Sequence, residues 1–403
     1  MSWPKLPLDQ LGYVSRGRSR HRPRNDPSLY GGSYPFIQTG DVKHANFRIS
    51  DHTATYSEAG LAQSRLWPKD TLCITIAANI ADTALLGYEA CFPDSIIGFI
   101  ADEEKADPRF VKYYFDIIQR ELQMVSQGAT QDNLSQEKLL SFGIACPPVE
   151  VQRKVAEVLS AYDDLIATNQ RRIALLEDAA RRLYREWFVH LRFPGHESVA
   201  VKDGVPEGWC KRSMTSVADF VNGFAFKPEH LGEAGLPVVK IPELRSGITS
   251  KTPYNLGHIV PQRNHITTGD VLFSWSATLL VNEWGEGPAL LNQHLFKVIP
   301  RNELHKRLVR FAVEAAIPEL IGHAVGATMQ HIRRSALDNH LMLVPDDTTS
   351  VAFAAQADPM MDAVLNLTAQ NRELTKARDL LLPKLMSGQL DVSNIRLPEE
   401  ATA

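Results

Sequence analysis

Two stretches of this chain, "QGATQDNLSQEKLLSFGIACPP" (127–148) and "VGATMQHIRRSALDNHLMLVPD" (325–346), state the same pattern twice. Both carry Gly-Ala-Thr, then a leucine (Leu139, Leu337) and a proline (Pro147, Pro345), all at one offset. That offset also aligns "IIGFIADEEKADPRFVKYYF" (96–115) with "HLFKVIPRNELHKRLVRFAV" (294–313): a strand-like apolar run, a charged turn and a helix-like run. Further upstream, "WPKDTL" (67–72) falls near "TTGDVL" (267–272), "YPFIQTGDV" (34–42) near "LPVVKIPEL" (236–244), and "QLGYVSRG" near "SVADFVNG" (216–223). The order holds while the spacing drifts by a few residues, as when loops change length and elements do not. The chain therefore reads as two copies of one unit.

Each unit has two parts of different period. Short runs such as "TLCITIA", "SIIGFIA", "DVLFSWS" and "HLFKVIP" sit between Gly, Pro and Asn and predict strands in a mixed domain. After each domain comes a helical pattern. Val155, Leu159, Tyr162, Ile166, Asn169, Ile173, Leu176, Ala180, Leu183 and Trp187 alternate steps of four and three. Phe353, Ala357, Met360, Val364, Leu367, Asn371, Leu374, Arg378, Leu381 and Leu385 do the same. Such alternation is a coiled-coil seam. Two equal seams in one chain can pair with each other, and an asparagine in the middle of each either fixes register by pairing or sits at the seam edge in water. Pro359 marks either the first turn of a later-starting helix or a kink in a longer one.

The expected architecture is α+β: two tandem mixed α/β domains separated by two long antiparallel coiled-coil helices, with pseudo-twofold symmetry. The expected boundaries are 1–147 and 197–346 for the domains, 148–196 and 347–388 for the helices, and 389–403 for a tail. A seam of about 33 residues at 1.5 Å each spans about 50 Å, or roughly 14 base pairs.

Composition narrows the function. The chain has 403 residues, 44% hydrophobic and 22% charged, with a formal net charge of -4, which fits a multidomain globular protein. No apolar window is long enough for a membrane span, and "MSWPKLPLDQ" lacks the apolar core of a signal peptide, so a cytoplasmic location is expected. Cys73, Cys91, Cys146 and Cys210 form no CxxC pair, which argues against zinc and against a disulfide framework. No phosphate-binding loop and no HExxH occurs. Pro93-Asp94 with Glu103 and Lys105 fits a nuclease spacing, but its partners in the second copy are Asn292, Arg301 and Glu303, and a chance match is the better reading.

One strip departs from the acidic average. "SRGRSRHRPRND" (15–26) places Arg16, Arg18, Arg20, Arg22 and Arg24 at spacing two, so an extended chain would point all five to one side. It is either a solvated mobile arm or a comb for phosphates. The equivalent segment of the second copy, "FAFKPEHLGEAG", is far less basic.

"LLNQHLFKVIP" (290–300), "GDVLFSWSAT" (269–278), "LLLPKLMSGQLDVS" (380–393), and "PPVEVQRKVAEVLSAYDDLIATNQRRI" (147–173) with "LYREWFVHLRFP" (183–194) closely resemble the specificity subunit of type I restriction-modification systems. The resemblance covers nearly the whole chain. It implies two target recognition domains, each reading one half of a bipartite site in double-stranded DNA. The helices would set the spacing and dock two methyltransferase (modification) subunits, to which a restriction subunit adds. S-adenosylmethionine, ATP and magnesium would belong to those partners, and this chain would hold no cofactor, no metal and no catalytic residue. A coiled-coil adaptor without DNA specificity is the alternative.

Under that resemblance the expected DNA-binding residues are the five arginines, Gln38, Thr39 and Lys43 with Lys240 and Arg245 after strand-like runs, and Thr130, Gln131 and Asn133 with Thr328 and His331 after the Gly-Ala pairs. Gln and Asn can pair with adenine, Arg and Lys with guanine. The same residue types also make ordinary turn hydrogen bonds. Trp187, Phe188 and Trp209 are expected to pack helix against domain, and the face bearing Leu175, Ala179 and Phe188 to meet partners.

Overall fold

The computed structural model describes residues 3–45, 47–127, 134–301, 304–322, 332 and 334–392. It forms two compact units, Met1–Ala167 with Leu374–Ala403, and Thr168–Glu373. The division cuts the central helix near its middle and the C-terminal helix about two thirds along, so each unit owns a strand-rich head and a part of each helix.

The repeat in sequence is a repeat in topology. In the first unit the main sheet runs Gly12–Arg16, Ile96–Ala101, Leu72–Thr75, Thr83–Leu86, Arg48–Ile49; every pairing is antiparallel except the last. In the second it runs Ala218–Asn222, Leu295–Pro300, Val271–Ser274, Leu280–Glu283, all antiparallel. An antiparallel pair follows in each, Tyr30–Phe36 with Ala54–Tyr56 and Leu236–Val239 with Tyr254–Asn255, the latter extended to four strands by Ala289–Leu291, parallel to Leu236–Val239, and His265–Ile266. The helices Pro108–Gln127 and Lys306–Gly322 also correspond.

Continuous apolar runs, rather than alternating ones, form these sheets because both faces are covered. In the first head Leu72, Ile74, Leu85 and Phe99 face one core, while Cys73, Ala84, Leu86 and Ile96 face another. The second head divides Val271 and Phe273 from Leu272 in the same way.

The central helix (Val149–Tyr184) is tied to the first head at its start. Buried Gln152 accepts from the Asp107 N–H at 3.1 Å and donates to the carbonyls of Lys105 and Pro147. Val155, Ala156 and Leu159 share a core with Phe110, Tyr113 and, from the C-terminal helix, Leu385 and Met386. Within this unit Ile166 is buried, whereas Leu374 and Leu381 are half-buried. Buried Asp163 takes a hydrogen bond from the Tyr113 hydroxyl and an ion pair from Arg378 of the C-terminal helix. Burial, reinforced by that carboxylate, pushes the Tyr113 hydroxyl well above its ordinary pKa.

In the second unit Asn169, 1% exposed, donates from Nδ2 to Asn371 Oδ1 at 3.0 Å. Of the two possibilities open for these asparagines, the paired one holds. Further along, Ala180, Tyr184 and Trp187 pack on Phe353, Ala357, Met361 and Val364. Contacts advance along the central helix as they retreat along the C-terminal one, so within this unit the pair is antiparallel. Val364 and Leu367 are buried, while Ile173, Leu176 and Leu183 are half-buried. Met361 rather than Met360 is the fully buried methionine, a shift of one residue within the turn that contains Pro359.

That helix spans Asp347–Met386, so Pro359 lies in its interior. Its start is capped by Asp346, which accepts from the Thr349 N–H at 2.8 Å and from Trp209 Nε1 at 3.1 Å. The proline turn is braced by Arg307, whose buried guanidinium donates to the Asp358 carbonyl at 2.7 Å, pairs with Asp362 at 2.6 Å and meets buried Glu283 at 3.0 Å. Burial opposes the Arg307 charge, but Glu283 and Asp362 outweigh it and raise its pKa. Trp187, Phe188 and Trp209 are all buried in the same aromatic cluster, as expected for packing. Phe188 is therefore removed from the partner-facing set, because its ring stands edge-on to Phe353 inside the core.

Replacing Asp163 with Ala removes the carboxylate shared by Arg378 and Tyr113. Arg378 keeps Asp379 and some solvent, so the expected loss is about 2 kcal/mol, below the range for fully buried pairs. It should appear as an earlier urea transition, with Asp163→Asn falling between Ala and the parent.

Candidate nucleic-acid interface

The arginine strip is built into the first head. It starts on the edge strand Gly12–Arg16, and Gly17 N–H continues the pairing to the Ile96 carbonyl at 2.9 Å. Arg18 N–H then bonds the Phe92 carbonyl at 3.0 Å. Gly17 is required here, since a Cβ would lie 2.3 Å from the Phe92 carbonyl oxygen. Gly17 and Ser19 are buried, and the five arginines between and beyond them are exposed. The alternation expected of an extended segment holds from Arg16 to Arg20 and is lost at the turn over residues 21–25, and backbone hydrogen bonds pin the strip rather than leaving it a free arm.

Not all five teeth of the comb are equivalent. Arg22 turns back and donates to the carbonyls of Ser19 and His21 at 2.7 and 2.8 Å. Arg24 donates twice to Asp94, at 2.9 and 2.8 Å. The Arg24–Asp94 pair is about half exposed on both sides and so contributes little to stability, roughly 0–1 kcal/mol; a phosphate could displace the carboxylate. Arg16, Arg18 and Arg20 make no ion pair among the described residues and stand as three available cations. Asp94 pairs with Arg24, and Lys105 with Asp102 at 2.7 Å.

The residues after the strand-like runs occupy matching places in the two heads. In the first, the helix Thr39–His44 follows Tyr30–Phe36; in the second, Ile241–Ser246 follows Leu236–Val239. Gln38 and Lys240 are the cap residues. Their N–H groups bond the carboxylates three residues on, Asp41 at 2.7 Å and Glu243 at 3.1 Å. The next strand region adds a threonine to each carboxylate, Thr53 at 3.4 Å and Thr252 at 3.2 Å. Lys43 and Arg245 then fall at the same position of equivalent helices, both exposed. Lys43 Nζ donates to Asn79 Oδ1 at 3.0 Å, which links it to the turn after Leu72–Thr75. Thr39 is half-buried in the first turn of its helix. Thr130, Gln131, Asn133, Thr328 and His331 lie outside the described residues.

Where the first head carries arginines, the second carries apolar groups. Phe224, Phe226 and Leu231 pack onto Val238, Val260 and Leu290. Beside them lies a groove of about 490 Å³ that includes Glu229, Glu233, Leu256 and Ile259. Two heads of one topology therefore present different chemistry at the equivalent segment.

Sequence reasoning missed the side chains that hold the strip. Gln63, Ser64, Arg65 and Tyr13 contact it or flank it, and the only hint in sequence is the alternation of Arg65 with Trp67.

Residues 3–178 match the family model described as type I restriction modification DNA specificity domain. The MjaIX specificity subunit of Methanocaldococcus jannaschii is 23% identical, over 98% of this chain and 94% of its own. The chain is similar to type I restriction specificity subunits over nearly its whole length, and the DNA specificity domain model matches its residues 3–178. The HindI specificity subunit of Haemophilus influenzae is 20% identical over 94% of this chain and 98% of its own. The crystal structure of the type I restriction-modification S subunit from M. genitalium shares the fold, with a TM-score of 0.58 at 14% identity over 95% of this chain and 96% of that one. In this chain no described helix is long and apolar enough to cross a membrane, and no group of three His, Cys, Asp or Glu among the described residues is placed to hold a metal.

Changing Asp94 to Asn should release Arg24. Binding to random-sequence duplex is expected to tighten a few-fold, and the slope of log K against log salt to steepen by about 0.9. An unchanged slope in an anisotropy titration would show that Arg24 does not reach phosphate.

Proposed function

We propose that this chain is the DNA-recognition subunit of a type I restriction-modification complex, with each head reading one half of a bipartite target. The observation that carries this reading is the duplicated head whose equivalent segments differ, arginine-rich in one copy and far less basic in the other, where Lys227, Glu229 and Glu233 are exposed around inward-packed Phe224 and Phe226. Shared topology serves a shared task, and different exposed side chains serve different half-sites.

In the first head Arg16, Arg18 and Arg20 clamp phosphates, with Arg22 and Arg24 joining when their present partners are displaced. Lys43 and Arg245 reach the duplex from equivalent helices, while Gln38 and Lys240 act mainly as helix caps. Thr130, Gln131, Asn133, Thr328 and His331 remain expected base readers. The long helices set the spacing and dock two methyltransferase subunits. Leu165, Leu175 and Leu380, which are 47%, 70% and 68% exposed, together with Ala179, offer them apolar surface. Those subunits, with a restriction subunit, bring S-adenosylmethionine, ATP and magnesium, and this chain performs no catalysis. The complex works on DNA in the cytoplasm.

Methylome sequencing of a host carrying the chain with its methyltransferase should reveal an interrupted motif. Exchanging residues 197–346 for those of another specificity subunit is expected to change one half of that motif and leave the other. A continuous motif, or a change in both halves, would contradict the reading.

A further inference from the structure

Three consecutive residues, Gln63, Ser64 and Arg65, follow the short helix Glu58–Ala62 and meet the arginine strip from more than 40 residues further along the chain. Gln63 Oε1 accepts from both the Arg20 and the His21 N–H, at 2.6 and 3.0 Å. Ser64 Oγ donates to the Arg18 carbonyl at 2.9 Å. These bonds act on backbone, so they fix where the strip runs without using any guanidinium.

Arg65 adds a cation of its own. Its guanidinium lies 4.2 Å from the ring centre of Trp67 and 4.7 Å from that of Tyr13, and donates to the Tyr13 hydroxyl at 2.8 Å. Trp67 is fully buried and stacked on Phe92 at 4.7 Å, so one wall of this seat is rigid. Tyr13 is 49% exposed, so the other wall faces solvent. Hydrogen bonds from Ser15 and Arg65, and more weakly the charges of Arg65 and Arg18, lower the Tyr13 pKa. Ring faces hold a cation without neutralising it. Arg65 has no acidic partner among the described residues, although it is seated as firmly as a structural arginine.

We propose that residues 63–65 form part of the duplex-binding surface of the first head. Gln63 and Ser64 are positioning residues that aim Arg16, Arg18 and Arg20 at backbone phosphates, and Arg65, seated between Trp67 and Tyr13, binds a phosphate directly. This rests on the reading of the first head as a DNA-binding domain. The sequence-independent ligand is the phosphodiester backbone, because a single cation held by rings carries no pattern that reads a base edge.

The test is fluorescence anisotropy of the full chain with a labelled random-sequence duplex, titrated across salt. Arg65→Ala is expected to lower the salt slope by about 0.9, and Arg65→Lys to preserve it. Gln63→Met, which keeps length and loses the acceptor, should weaken binding about three- to tenfold with the slope unchanged, since the charges remain but are no longer held in place. The combined Arg16→Ala, Arg18→Ala, Arg20→Ala variant tests the underlying reading, with an expected slope reduction of about 2.7.

If that triple variant loses slope while Gln63→Met and Arg65→Ala bind like the parent, the proposal is overturned and the DNA-binding head survives. If the triple variant itself binds like the parent, the reading of the strip fails. Should thermal melting show that Gln63→Met unfolds, Ser64→Ala decides the positioning role: weaker binding at unchanged slope supports it, and parental affinity rejects it.

Discussion

Antiparallel pairing of the two long helices depends on polar groups that burial would otherwise penalise. In one unit Asn169 meets Asn371; in the other Asp163 meets Arg378 and the Tyr113 hydroxyl. An apolar seam alone tolerates sliding, because one leucine layer resembles the next. A buried amide or carboxylate without its partner costs about 1–3 kcal/mol or more, so a slip by one turn is penalised at each such layer. Tyr113 belongs to a head rather than a helix, so the Asp163 layer sets head and helices together within its unit.

Duplication explains much of the remaining architecture. Once one head can bury both faces of its sheet and dock on half of a helix pair, a second copy repeats the solution with new loops. The cap geometry shows how closely the scaffold is kept: Asp41 with Thr53 and Glu243 with Thr252 do the same work with different carboxylates. What changes is the exposed face. Where the first head exposes Arg16, Arg18 and Arg20, the equivalent segment of the second exposes Lys227, Glu229 and Glu233 around inward-packed Phe224 and Phe226.

The sequence showed the parts of this fold that are periodic or repeated. Buried strands such as Leu72–Thr75 and Val271–Ser274 were legible as apolar runs, and the seam was legible because Leu159, Asn169, Val364 and Asn371 recur at helical spacing. Whether the asparagines meet depends on register between segments about 200 residues apart, which no local pattern carries. Likewise the strip could be seen as arginines but not as a pinned edge, because its anchors are Phe92, Ile96 and Gln63. Arg24 was indistinguishable from Arg16 until Asp94, distant in sequence, was found to hold it. Pro359 was ambiguous for a related reason: the brace that keeps it inside a helix is Arg307, from the other side of the chain.

The central claim is that two heads of one chain engage opposite halves of one interrupted site. Site-specific photocrosslinking tests it most directly, with a photoreactive residue placed in turn at Arg18 and at Arg245 of the chain assembled with its methyltransferase on the methylated target. The account predicts that the two positions crosslink to opposite halves of the motif. Crosslinks from both positions to the same half, or to neither, would contradict it.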